Sequence, residues 1–288
     1  MKAPFCIDRI RGSKYRDKLR GVRWEEMTPS EAIENGEWLG ERLHPFKAYD
    51  VGSIIPTGFA AYARILHPAG KYGASHPVEV SWSEVAEWSG KTIHPEVQFH
   101  AIAEPALGNE LGPWAWNYEP RNGVLSDSQM RALAALLASR TTTPDQCWFC
   151  LWEGQGYLSP GGIVPWVAIA VTGPRPLRWL RLRAARRRVR RGKASRVSGR
   201  RVTPNSARAY LLFSGSVSDA TGWEDGPNLW WPEDRAWCVA SEIDHNYSYV
   251  GGSADLISEL LAHPVLEAVP AKITDGITYD SDRINAST

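Results

Sequence analysis

CWFCLW (147–152) constrains the fold more than any other stretch. Read at the two-residue period of a strand, it divides into Cys147, Phe149 and Leu151 on one face and Trp148, Cys150 and Trp152 on the other. Both faces are apolar, so the strand must be covered on both sides. The C-x-x-C has a second reading, in which Thr143 caps a helix, Pro144 opens it and Gln146 closes the box. The thiols would then lie near a helix N-terminus as a redox or metal site. The aromatic residues and the glycines at 154 and 156 favour the strand. On a strand, thiols three residues apart face opposite ways. Their Cα atoms lie roughly 10 Å apart at about 3.3 Å per residue, beyond the disulfide limit of about 7 Å.

Other segments supply further elements. Phe59–Leu66, 97–103, 163–173, 208–215, 236–244 and 266–273 read as strands. Ser126 and Gln129 form a capping box ahead of a helix with Met130, Leu133, Ala134 and Leu137 on one face. Helices are also expected over 81–90 and, from a Ser253 cap, over 251–264. Thr28 and Glu31 suggest another box and a helix ending near Gly40. Strands and helices mix without βαβ alternation. The expected fold is therefore α+β, a mostly antiparallel sheet with a few packed helices in a single large domain.

Charge is segregated behind a net value of +1. Residues 1–23 carry a net +6 and read as a basic arm. Residues 175–201 hold thirteen basic and no acidic residues, and interrupt a 24–273 domain whose two parts are each acidic. Arg186, Arg187, Arg188, Arg190 and Arg191 are the densest cluster and the candidate polyanion contact, for nucleic acid or an acidic protein. A solvated loop is the plainer reading. Residues 274–288 read as a flexible tail. No 18-residue apolar run or apolar leader is present, which suggests no membrane partner and a cytoplasmic protein.

The tryptophan content, 14 residues, points to a pocket. PNLWWPEDRAW (227–237) and GPWAWNY (112–118) nominate Trp114, Trp116, Trp230, Trp231 and Arg235 as ligand-binding residues for a small molecule or protein partner. The competing reading places these tryptophans in a core poor in Phe and Met. Glu242 and Asp244, two apart on one strand face with His245 following, are the candidate acid–base groups; a polar outer face explains them equally. Five histidines precede prolines without metal-ligand spacing, and phosphate-loop, nucleophile-elbow and dinucleotide motifs are missing, so no metal or cofactor is expected.

VGSIIPTGFAAYARILHPA, SWSEVAEWSG with HPEVQFHAI, TTTPDQCWFCLWEG, RAYLLFSG, and PNLWWPEDRAWCVASEID with YVGGSADLI, in that order, resemble an uncharacterised family of bacterial hypothetical proteins. The resemblance covers most of residues 50–270. It implies a single soluble domain, with the basic segment inserted between two strands, and carries no activity. A non-catalytic binding or interaction protein with a tryptophan-rich pocket is the leading expectation. An acid–base enzyme at that pocket and a nucleic-acid contact through the insertion are the alternatives.

Overall fold

A computed structural model describes residues 26–73, 78–103, 115–154, 199–204, 208–223 and 225–285. The basic arm, nearly all of the basic segment, the expected strand at 163–173 and Trp114 lie outside these residues. In chain order the elements are α1 (Trp38–Arg42), β1 (Ala61–Leu66), β2 (Ala69–Lys71), β3 (Val78–Val80), α2 (Trp82–Ser89) and α3 (Phe99–Ala103). There follow α4 (Asp127–Ala138), β4 (Cys147–Trp152), β5 (Arg201–Val202), β6 (Tyr210–Gly215) and β7 (Leu229–Pro232). The chain continues through β8 (Cys238–Ser241), β9 (Tyr247–Gly252), α5 (Ala254–Leu261) and β10 (Ala268–Ala271).

Eight strands form one antiparallel sheet in the order β10-β1-β9-β8-β7-β4-β6-β5, and β2 pairs with β3 separately. The fold is α+β, as the mixture of strand and helix patterns implies. Alternation along the strands feeds two hydrophobic cores. Cys147, Phe149 and Leu151 join Trp230, Trp237 and Val239 in the core under α4 and α5. Cys150 joins Leu229, Trp231, Cys238 and Ala240 in the other core, under α1, α2 and α3, with Trp148 and Trp152 packed against it. β4 therefore has helices over both faces, and its two thiols lie in different cores. The described cysteines 147, 150 and 238 are free and buried.

The capping residues act as the sequence suggests at three helices. Ser81 and Glu84 close a box on α2, Ser126 and Gln129 close one on α4, and Ser253 Oγ accepts the Leu256 amide on α5. Buried Leu256, Ile257 and Leu260 then fix α5 to the sheet.

Four expectations differ. No helix starts at Thr28; the Ser30 amide instead donates to Leu212 O at 2.7 Å, and Ser30 Oγ accepts from the Ala32 amide at 3.1 Å. A short 3-10 turn (Ile33–Gly36) follows, then α1, which runs past Gly40. Second, 97–103 holds helix α3 and not a strand. Val97, Phe99 and Ile102 are buried together, and the Asp282 carboxylate accepts the Gln98 amide at the helix start. Third, β8 stops at Ser241, so 236–244 is not one long strand.

Fourth, the expected tail is anchored as far as Asn285. Val51 and Gly52 amides donate to Asp275 O and Ile273 O, and the Ile277 amide donates to Tyr49 O. Asp282 and Asn285 are buried against residues 91–98, where Thr92 N donates to Asn285 Oδ1 at 2.9 Å and Asn285 Nδ2 donates to Thr92 O at 2.8 Å. These bonds replace the solvent that a frayed tail would require. None of the described helices is long and apolar enough to cross a membrane.

Candidate functional site

β8 and β9 are joined by Glu242–Asn246, a turn closed by the His245 amide donating to Glu242 O at 3.0 Å. Both faces of β8 are buried, so the polar residues gather at its end and not along an outer face. Around this turn stand α3, the 3-10 turn Phe46–Ala48, Arg208 at the approach to β6, and residues 277–279. They enclose a cleft of about 560 Å³, a volume suited to a small organic ligand. Glu242, Asp244 and His245 all line it.

Glu242 is paired with Arg208, whose Nη1 donates to Oε1, and the Ile243 amide donates to the same oxygen at 2.8 Å. Arg208 lies over the Trp152 ring at 4.7 Å and near Phe46 at 5.3 Å. Burial raises the Glu242 pKa, and Arg208 offsets only part of that rise. His245 shifts the other way. Burial, helped by the positive charges of Arg64 and Arg208, lowers it to about 4. The imidazole is neutral at physiological pH, and its Nδ1 is buried without a hydrogen-bond partner.

His245 stacks on Tyr247 at 4.8 Å, and the guanidinium of Arg64 lies 3.5 Å from the same Tyr247 ring. Arg64 is 1% exposed. Its Nη1 donates to Pro95 O at 2.8 Å, while Nε and Nη2 are unpartnered. Gln98, also on the cleft wall, approaches the Tyr247 hydroxyl, but its Nε2 completes no hydrogen bond of good geometry. His67, by contrast, is fully engaged between Arg121 O at 2.7 Å and Ser248 Oγ at 2.9 Å. That buried histidine is structural, and burial lowers its pKa to about 4.

The mouth is aromatic. Tyr279, 70% exposed, stacks on His100 at 3.5 Å with an 8° interplanar angle. Tyr49 is 53% exposed and adopts φ 53°, a left-handed conformation uncommon for a bulky residue. The bridge between Asp50 and Gly276 and the Ile277 amide on Tyr49 O hold it there.

No family model, curated protein or solved structure matches this chain. The chemistry of the site must therefore be read from its own residues.

Of the tryptophans nominated from sequence, the described ones, Trp116, Trp230 and Trp231, do not assemble at the cleft. Trp230 and Trp231, 0% and 1% exposed, enter opposite cores because neighbours on a strand face opposite ways. Trp230 meets Trp237 edge-on at 5.0 Å, and Trp231 meets Trp38 at 5.7 Å. Each belongs to a buried, tryptophan-rich aromatic cluster in its own core and gives no open pocket wall. Trp116 is half-buried behind the cleft, 5.3 Å from Phe99, a wall residue. Arg235 is exposed in the β7–β8 turn with its guanidinium 5.2 Å from Trp38. The five arginines of the polyanion candidate lie outside the described residues. Among the described residues no group of three His, Cys, Asp or Glu side chains could hold a metal ion.

Sequence patterns did not mark Arg208, Gln98, Tyr247, Tyr49 or Tyr279 as site residues. One signal was available: an arginine inside the apolar run AYARIL (61–66) must be buried if the run is a covered strand.

Proposed function

We propose that the protein binds a small organic molecule in the cleft at the β8–β9 turn, without transforming it. The observation that carries this reading is the presence of buried, unpartnered nitrogens on and beneath an aromatic-walled cleft: His245 Nδ1, Gln98 Nε2 and two nitrogens of Arg64. Buried polar atoms normally find partners, and a ligand inside the cleft would supply them. Ligand-observed NMR of the full chain against a fragment library tests it. Hits should weaken in both Gln98→Ala and His245→Ala. Hits indifferent to both substitutions, or no hits at all, would sink the reading.

A second reading, acid–base catalysis, is favoured by one specific observation. Glu242 and His245, three residues apart in one turn, have pKa values displaced in opposite directions, one raised and one lowered. Such pairs are found where protons are moved. Following a bound hit by NMR separates the two readings. Conversion by the wild type that disappears in Glu242→Gln, with binding retained, selects catalysis.

A further inference from the structure

We propose that the ligand of this cleft is an uncharged planar heterocycle with donor and acceptor atoms along one edge, of the free nucleobase class. This inference rests on the binding reading above and specifies its chemistry.

Three features of the site favour this ligand class. The first is the charge of its walls. Glu119, Glu242 and Asp244 line the cleft, against the single arginine Arg208, which is already paired with Glu242. An anionic ligand such as a carboxylate or phosphate would face two further carboxylates. The guanidinium of Arg64, buried beneath Tyr247, offsets part of this negative wall from below. The unpaired donor and acceptor atoms then favour a neutral polar edge over an ion.

The second feature is the set of unpaired atoms. Gln98 Nε2 can only donate, whereas the neutral His245 Nδ1 donates or accepts according to its tautomer. Carboxylate and amide oxygens on the same walls accept. A purely apolar ring would leave the buried nitrogens without partners, at a cost comparable to a lost hydrogen bond each. A lactam or amidine edge, which alternates donors and acceptors, matches a glutamine amide in particular, since that amide presents one of each. Gln98 is well placed to read such an edge, because Asp282 fixes its backbone amide at 3.1 Å ahead of α3.

The third feature is flatness. Phe46, Tyr49, Phe99, Tyr247 and Tyr279 contribute rings to the walls, and the nearly parallel His100–Tyr279 pair already forms a two-layer stack at the mouth. An exposed Tyr279 offers a platform on which a planar ring extends that stack. Stacking of a base on an aromatic side chain adds affinity and tolerates any base. Edge hydrogen bonds then select among bases, as in sites that read an extruded base.

Isothermal titration of the full chain with adenine, hypoxanthine, xanthine, uracil and cytosine tests the inference, with glucose and benzoate as the non-planar neutral and the planar anionic controls. At least one nucleobase should bind, more tightly than either control. Gln98→Ala should weaken that binding on the order of tenfold, the scale of one buried hydrogen bond. Tyr279→Ala should weaken it as well, and because that side chain is exposed the variant will fold. Glucose or benzoate binding better than every nucleobase overturns the ligand class while leaving the cleft as the binding site. So does nucleobase binding that neither substitution affects. Fragment hits insensitive to every cleft substitution overturn the binding reading itself, so the two failures are distinct.

Discussion

His94 Nε2 lies 2.8 Å from Asp282 Oδ1, and the other oxygen of Asp282 accepts the Gln98 amide at 3.1 Å. A single carboxylate thereby fastens the 274–285 strap to the start of α3. Both partners of this junction serve the cleft, since Gln98 lies on one wall and Ile277, Thr278 and Tyr279 form another. Replacing Asp282 by Ala removes the acceptor for His94, for the Gln98 amide and for the amides of Ile284 and Asn285. A loss of about 1–3 kcal/mol is expected, together with weaker ligand binding. Urea denaturation of both proteins reads the first effect, and an unchanged midpoint would count against the junction.

The same carboxylate sets an acid limit. Burial pushes the Asp282 pKa up, but hydrogen bonds from Asn285, Gln98 and His94 outweigh it and hold the value below 3.8. A carboxyl depressed on folding contributes stability that is present above its unfolded value and lost as pH falls through the folded one. The stability difference between wild type and Asp282→Asn should therefore be constant near neutrality and shrink below about pH 4. Melting curves across that range check it.

His245 and His67 contribute at higher pH. Both fall from 6.5 to about 4 on folding, chiefly through burial. The unfolded chain then binds the extra protons, so stability declines as pH drops from about 6.5 to about 4. Each histidine accounts for at most about 3 kcal/mol of that decline. NMR titration should find both imidazoles uncharged at pH 6. A His245 resonance that titrates near 6.5 would contradict the buried site.

Arg208 and Glu242 form a nearly buried pair, about 10% exposed on each side. Removing one partner of such a pair typically costs about 3–5 kcal/mol because the other charge is stranded. Glu242 has an escape, since burial already favours its protonated form. The penalty of Arg208→Ala should therefore be larger at pH 8 than at pH 5. The double variant with Glu242→Gln should recover part of it at pH 8. Equal penalties at both pH values would show that the carboxylate is not stranded.

How far the sequence could be read depended on whether a signal was local. The faces of CWFCLW, the caps at Ser81, Ser126 and Ser253, and the apolar stripes of α4 and α5 are set by neighbours within a few residues, and the structure matches them. The identity of 97–103 was not local: Asp282, far along the chain, supplies the acceptor that starts α3. No helix starts at Thr28, where the Ser30 amide goes to an equally distant partner, Leu212. The site divides in the same way. Glu242, Asp244 and His245 stood out because they are adjacent, whereas Arg208, Gln98 and Tyr279 join them only through tertiary folding. Tryptophan abundance misled because Trp230 and Trp231, large and fully buried, fill cores that need volume on both sides of the sheet.

The two-sided sheet also determines what the C-x-x-C can do. Cys147 and Cys150 are each 0% exposed and belong to cores on opposite sides of β4, so no motion short of unfolding brings their sulfurs together. Burial pushes both thiols well above their ordinary pKa, which removes the nucleophilic thiolate. Site-resolved alkylation with iodoacetamide should leave Cys147, Cys150 and Cys238 unmodified in the native protein and label all three in urea. Mild oxidation should produce no bond between Cys147 and Cys150. Replacing Trp231 by Ala opens the core beside Cys150 and Cys238, at a cost of about 3–5 kcal/mol, and should make those two thiols reactive before Cys147. If Cys147 is labelled first, the two cores are not separated as the sheet requires.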